Sequence, residues 1–231
     1  MRNLCIIPAR GGSKRIPRKN IRDFRGKPII SYSIEAALNS GLFEEVMVST
    51  DDKEIADIAQ KYGAKVPFFR SEENANDFAT TADVIKEVIE DYTKTDKEFD
   101  NLCCCYPTAP FISSARLHEG LKQLKSPTVS SVFPVAEFGY PILRSLKMED
   151  DGKVSMNWPD QLNVRSQDLP KAFHDAGQWY WMKTTDFLST GKIISENSYG
   201  LQLEEIEVQD IDNEIDWKLA ELKYELLQSF K

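Results

Sequence analysis

Apolar positions fall into two rhythms along the chain. Stretches at residues 4–7, 45–50, 101–106, 129–135 and 178–182 read as strands, and the unbroken apolar runs at 4–7 and 102–106 within them suit strands buried on both faces of a sheet. Between them apolar residues recur every three or four positions, which is the spacing of one helical face. Ile30, Ile34, Ala37 and Leu38 form one such stripe; Ile55, Ile58, Ala59 and Tyr62 form the next. Val84, Ile85, Val88, Ile89 and Tyr92 follow, then Leu117, Leu121 and Leu124. A closing helix over 215–230 carries Ile215, Leu219, Leu222 and Leu226. Strands alternating with helices predict an α/β fold with a mostly parallel sheet covered on both faces.

Boundary residues sharpen these elements. Pro28 suits the first turn of the first helix and Gly41 ends it. Thr50 or Asp51 caps the second helix, with Glu54 placed for a capping box. A short strand is expected at 66–69, a loop at 74–77, and a third helix over 80–92. Ser113 or Ser114 caps the fourth. The rhythm fails over 137–172, where two extended stretches flank the turn Glu149-Asp150-Asp151-Gly152. A short helix over 184–188 and a strand at 206–208 come next. With no repeat, low-complexity tract or linker, residues 1–231 read as one domain with an inserted arm at about 137–172.

Composition narrows the function. A 41% hydrophobic and 29% charged chain is an ordinary globular protein. Its net charge of −8 argues against a partner made of nucleic acid or an anionic membrane. No apolar run approaches the ~18–20 residues of a membrane span. Arg10 cuts the first run short of a secretory leader. Cys103, Cys104 and Cys105 are consecutive, so a strand would point them to alternate faces, and no CxxC spacing occurs. Reduced core cysteines and a cytoplasmic protein are the expectation.

Against this acidic background one loop is strongly basic. After the first strand come Arg10, Lys14, Arg15, Arg18 and Lys19, with Gly11 and Gly12 and no acid before Asp23. Such a loop at the end of a first strand suits a triphosphate or another polyanion. It lacks the second glycine and the hydroxyl residue of a Walker A motif and is not GxGxxG. Cations at this density suit phosphates that are themselves the reacting groups. Such chemistry needs a hard divalent ion. Asp210 and Asp212, two apart, face one side of an extended segment and would suit Mg²⁺. Asp212 or Asn213 also fits as the cap of the last helix.

The stretch Ile7-Pro8-Ala9-Arg10-Gly11-Gly12-Ser13-Lys14-Arg15-Ile16-Pro17-Arg18-Lys19-Asn20 resembles the opening of the CMP-sugar-acid synthetases, a cytidylyltransferase family. The likeness continues at Ser49-Thr50-Asp51, Phe69-Arg70, Tyr106-Pro107-Thr108-Ala109-Pro110 and Gln209-Asp210-Ile211-Asp212. Arg165-Ser166-Gln167-Asp168-Leu169-Pro170 and His174-Asp175-Ala176-Gly177-Gln178 are similar to the branch that acts on pseudaminic acid.

The resemblance implies a Rossmann-like nucleotidyltransferase fold and attack of a nine-carbon sugar acid on CTP. Arg10 and Lys19 would hold the triphosphate and act in catalysis with Asp212. Ala9, Gly11, Ser13, Asn20, Arg70 and Thr81 would complete the nucleotide site. Tyr106, Arg165 and Gln178 would meet the sugar, and Asp210 with Asp212 would hold Mg²⁺. The arm would make a homodimer. Legionaminate, N-acetylneuraminate or a 3-deoxy-octulosonate is the alternative acceptor, and a nucleotide-binding regulator without catalysis is the alternative class. Arg70 could instead pair with Glu72 or Glu73, Thr81 could be only a cap, and His174 fits either a base or a structural role.

Overall fold

The computed structural model describes residues 1–230, and among these a seven-stranded sheet forms the centre of the fold. In chain order the elements are β1 (Asn3–Pro8), β2 (Asp23–Phe24), β3 (Lys27–Pro28), α1 (Ile30–Ser40), β4 (Glu45–Ser49), α2 (Lys53–Lys61), α3 (Glu72–Ala75) and α4 (Thr81–Thr93). Then come β5 (Asn101–Cys105), α5 (Ser114–Leu124), β6 (Ser131–Glu137), β7 (Leu146–Met148), β8 (Val154–Met156) and β9 (Phe173–Asp175). The chain closes with β10 (Trp179–Lys183), α6 (Thr184–Thr190), β11 (Ser198–Gln202) and α7 (Glu214–Ser229).

The sheet order is β11-β6-β10-β5-β1-β4, with β9 beside β6. β4, β1 and β5 run parallel, as do β6 and β11; β10 lies antiparallel between β5 and β6. β9 returns antiparallel to β6 from the arm, pairing Ala136 with His174. The expected mostly parallel sheet is present, with the arm hairpin β7–β8 outside it.

Alternation along the strands sends side chains to two cores. Cys5, Ile7, Val46, Val48, Cys103 and Cys105 face α1, α2 and α5. Leu4, Ile6, Met47, Leu102 and Cys104 face α4 and α6. The four cysteines are buried and free. Burial pushes the thiols of Cys5, Cys103 and Cys104 up, which keeps them neutral. Gly120 has a packing reason: a Cβ there would lie 2.6 Å from the Trp179 ring.

A third cluster matters most for the site. Ile16 of the basic loop and Ile211 of the acidic segment are buried together with Phe24, Tyr32 and Trp217. Phe24 makes edge-to-face contacts with Tyr32 at 5.4 Å and Trp217 at 5.6 Å. Apolar burial thus joins two segments about two hundred residues apart.

Several local expectations are corrected. Asp52, not Thr50 or Asp51, caps α2 by accepting the Ile55 N–H at 3.0 Å. Thr50 instead accepts the Asp52 N–H. Pro28 lies in the β2–β3 pair, two residues before α1. Residues 66–69 form no strand; Lys65 alone makes a bridge to Met47. Ser71 caps a single turn, α3, which enters the stretch expected to be loop at 74–77. The strand expected at 206–208 is a 3₁₀ turn over Glu205–Glu207, closed by a Glu204–Glu207 capping box. The edge strand is β11, whose half-exposed positions lack an apolar run. In α7 the buried residues are Trp217 and Ala220, backed by Tyr224 and Leu227. The stripe Ile215, Leu219, Leu222 and Leu226 faces outward.

Candidate functional site

The parallel strands β1, β4 and β5 deliver their following loops to one end of the sheet, where open α/β folds hold ligands. The loop after β1 is built on Asp51 and Asp52. The Gly11 N–H donates to the Asp51 carboxylate at 2.9 Å, so the anion it faces is one of the chain's own side chains. A Cβ on Gly11 would sit 2.8 Å from an Asp52 oxygen, so only glycine fits this approach. Arg18 forks onto Asp52 at 2.6 and 2.9 Å and also reaches Glu54 at 2.5 Å. This holds Arg18 in the left-handed region, φ 55°, a conformation costing about 1 kcal/mol outside glycine. The same fork holds the Asp52 carboxyl down at about 2. Buried Asn20 donates to the Arg10 carbonyl at 2.9 Å, closing the loop from the inside.

Arg10 and Lys14 converge on one acid. Arg10 donates to Asp77 at 2.6 Å and to the Asn76 carbonyl at 3.0 Å, and Lys14 pairs with the other Asp77 oxygen. A cleft of about 520 Å³ lies here between Gly11, Ser13, Arg18 and the 75–78 segment. Ala9 is buried, its N–H bonded to the Ser49 carbonyl at 2.9 Å.

The rest of the loop meets the acidic segment. Lys19 donates to the Ile211 carbonyl at 2.7 Å, across 192 residues of chain. Burial lowers its pKa below that of a free lysine, while Asp212 and Asp210 pull the other way. Arg15 pairs with Asp212 at 2.8 Å. Asp210 is exposed and its side chain makes no hydrogen bond or ion pair among the described residues. Asn213 caps α7, accepting the Ile215 and Asp216 N–H groups, so Asp212 is not spent on that role. No group of three or more His, Cys, Asp or Glu side chains able to hold a metal occurs among the described residues. The carboxylates of Asp210 and Asp212 are hard oxygen donors, the kind of which Mg²⁺ takes one or two together with phosphate and water.

Arg70 is buried and makes no ion pair among the described residues. It donates to the Ser49 hydroxyl at 3.0 Å and the Ser49 carbonyl at 2.6 Å, and desolvation lowers its pKa. A surface pair with Glu72 or Glu73 is not formed. Thr80 and not Thr81 caps α4; the Thr81 hydroxyl lies 3.2 Å from that of Tyr106. Tyr106 contacts Tyr180, whose hydroxyl donates to Asp175 at 2.7 Å.

Of the sugar-side residues, Tyr106 and Gln178 are brought together, the Tyr106 N–H donating to the Gln178 carbonyl at 2.7 Å. Gln178 is buried, and its amide donates to the Glu207 carbonyl at 2.6 Å. Arg165 is exposed on the arm, its side chain without a partner among the described residues. His174 rests its ring against Phe138 and directs Nδ1 at the Asp175 carbonyl, 2.9 Å away. It shares a cleft of about 230 Å³ with Gln209, Asp210 and Lys223. A larger hollow of about 700 Å³ opens at the far end of the sheet, near Arg2 and Phe99, and contains none of these residues.

Asp52, Asp77, Arg116 and Lys223 escaped sequence reasoning. Their partners lie 34, 63, 91 and 15 positions away, beyond the reach of local patterns.

The sequence profile of the cytidylyltransferase family matches residues 4–210. A pseudaminic acid cytidylyltransferase of Campylobacter jejuni is 43% identical over 226 residues, covering 98% of this chain and 97% of the relative. A CMP-N,N'-diacetyllegionaminic acid synthase of Legionella pneumophila is 37% identical, covering 99% and 98%. The solved structure of a CMP:2-keto-3-deoxy-manno-octonic acid synthetase complexed with CTP has a TM-score of 0.68 and 18% identity, covering 99% of this chain and 100% of that one; it shares the fold. With the profile spanning most of the chain and relatives aligned end to end, this protein belongs to the cytidylyltransferase family.

Proposed function

We propose that this chain joins CTP and a nonulosonic acid, pseudaminic acid first, to give a CMP-sugar and pyrophosphate. The observation that carries the chemistry is the meeting of Lys19 and Arg15 with Asp210 and Asp212 at the strand ends. The full-length likeness to pseudaminic acid cytidylyltransferases supports the choice of sugar.

In this reading the anomeric hydroxyl oxygen bonds to the α-phosphorus as the bond to the bridging oxygen breaks. Pyrophosphate carries away that electron pair. Phosphoryl chemistry asks mainly for positioning and charge stabilisation. Arg10, Lys14 and Lys19 hold the triphosphate, while Ser13, Asn20, Arg70 and Thr81 hold the nucleoside. Asp210 and Asp212 would hold Mg²⁺, which when bound offsets charge on the reacting phosphates. Asp212 accepts the hydroxyl proton once Arg15 turns to phosphate. Tyr106 and Arg165 meet the sugar; Arg165 binds its carboxylate.

A cytoplasmic homodimer completes the proposal. Four free thiols and a CTP requirement support the compartment. No helix among the described residues is long and apolar enough to cross a membrane. Exposed apolar side chains on the arm and on α7 support a second copy.

Pyrophosphate release from CTP, measured with pseudaminic, legionaminic, N-acetylneuraminic and 3-deoxy-octulosonic acids in turn, tests the reading. Turnover should be fastest with pseudaminic acid. Turnover confined to another acid would overturn the choice of sugar, and none with any of them would overturn the reaction.

A further inference from the structure

The acidic segment is held from behind by a set of bonds that the proposed chemistry does not use. Lys223 of α7 donates to the Val208 carbonyl at 2.7 Å and the Glu205 carbonyl at 3.2 Å. These are the two ends of the turn that precedes Asp210. Arg116 of α5 forks onto Glu207 of the same turn at 3.1 and 2.8 Å. The Gln178 amide takes the Glu207 carbonyl at 2.6 Å. Beyond the acids, Asp216 accepts the Asp212 and Asn213 N–H groups at 2.9 and 3.0 Å. Val208 and Ile211 are buried, and Asp210 and Asp212 flank Ile211 in the chain.

The ammonium bonds two carbonyls at once on a segment with no strand partner: that of Val208, and that of Glu205, which also takes the Val208 N–H at 3.2 Å. A charged donor also makes stronger bonds than a neutral one. We propose that Lys223 is a positioning residue for Asp210 and Asp212: by tying the Glu205 and Val208 carbonyls to α7, it fixes the turn from which both carboxylates project. Gln178 belongs to the same clamp, acting through the Glu207 carbonyl and not through the sugar. This rests on the reading of Asp210 and Asp212 as metal ligands. Supporting groups behind metal ligands typically tune metal affinity about 10–100-fold.

The test uses the full chain and two readouts besides turnover. Amide hydrogen exchange over residues 203–213 and Mn²⁺ binding followed by electron paramagnetic resonance are compared in the wild type, Lys223→Met, Lys223→Arg and Asp210→Asn. Lys223→Met should raise exchange in this segment at least ~10-fold, leave α7 helical by circular dichroism, and weaken Mn²⁺ binding by about tenfold. Lys223→Arg should recover most of both. Unchanged exchange in Lys223→Met overturns the proposal, as does raised exchange with wild-type Mn²⁺ affinity. Mn²⁺ binding that ignores Asp210→Asn would overturn the metal reading instead, and the exchange result then decides alone whether Lys223 fixes the segment.

Discussion

Asp77 is a single acid holding two cations of the proposed triphosphate site, Arg10 and Lys14. Arg10 and Lys14 both face its carboxylate, and both keep that carboxyl below the usual range. If these cations take the triphosphate as proposed, an incoming phosphate must displace Asp77, which would then compete with substrate from within the chain. Its exposed position means each pair is weak and screened. Asp77→Asn keeps the side chain's size while removing the competing charge. CTP should then bind ~3-fold tighter by isothermal titration, the scale on which exposed ion pairs act. Weaker binding of CTP by Asp77→Asn would show that Asp77 supports the nucleotide site and does not oppose it.

At the scale of elements, the start of α2 couples helix stability to the loop. Asp52 is both the cap of the helix and the partner of Arg18. Its folded carboxyl titrates at about 2, below the ordinary value of 3.8. Such a group contributes stability that is present above the unfolded pKa and is lost as pH falls through the folded one. Asn is also a good cap, so Asp52→Asn removes the charge while retaining the helix signal. The wild type should have the higher urea midpoint at pH 6, and the gap should narrow between pH 4 and pH 2. A gap that stays constant over that window would mean the cap and not the ion pair carries the difference. The legibility of the fold divides along similar lines. β1, β4, β5 and β10 were readable because strands buried on both faces leave continuous apolar runs. The basic loop and the pair Asp210 and Asp212 were readable because charge type and i, i+2 spacing are local. The orientation of α7 was not, since both 215/219/222/226 and 217/220/224/227 are apolar stripes. The aromatic cluster around Phe24 selects the second, and that is a tertiary fact. β11 was missed because Ser198–Gln202 is a half-exposed edge containing Gly200. The bonds that place Gln178 behind the acids cannot be seen in any window of sequence.

For the whole molecule, unpartnered apolar surface lies on two elements. In the arm hairpin Leu146 pairs with Met156 and Met148 with Val154, so one face carries four apolar side chains. Met148 is 73% exposed and Tyr140 89%; on α7 Ile215 is 70% exposed and Leu222 61%. Exposed hairpins of this kind invite a partner strand or face, and a second copy of the chain would cover both elements. The Arg165 side chain has no partner among the described residues, while the basic loop of the same chain has all five cations engaged within 9–20, 51–77 and 210–212. A dimer in which each arm serves the other chain's site would therefore complete both. Sedimentation should give twice the chain mass. Mixing Lys19→Met with Arg165→Ala, each nearly inactive alone, then becomes decisive. If Arg165 acts across the interface, a mixed dimer pairs an intact loop with an intact arm at one of its two sites. Half the dimers are mixed, so roughly a quarter of wild-type activity should return on exchange of subunits. If Arg165 serves its own chain, every site in the mixture lacks one of the two residues, and activity stays at the level of the separate variants.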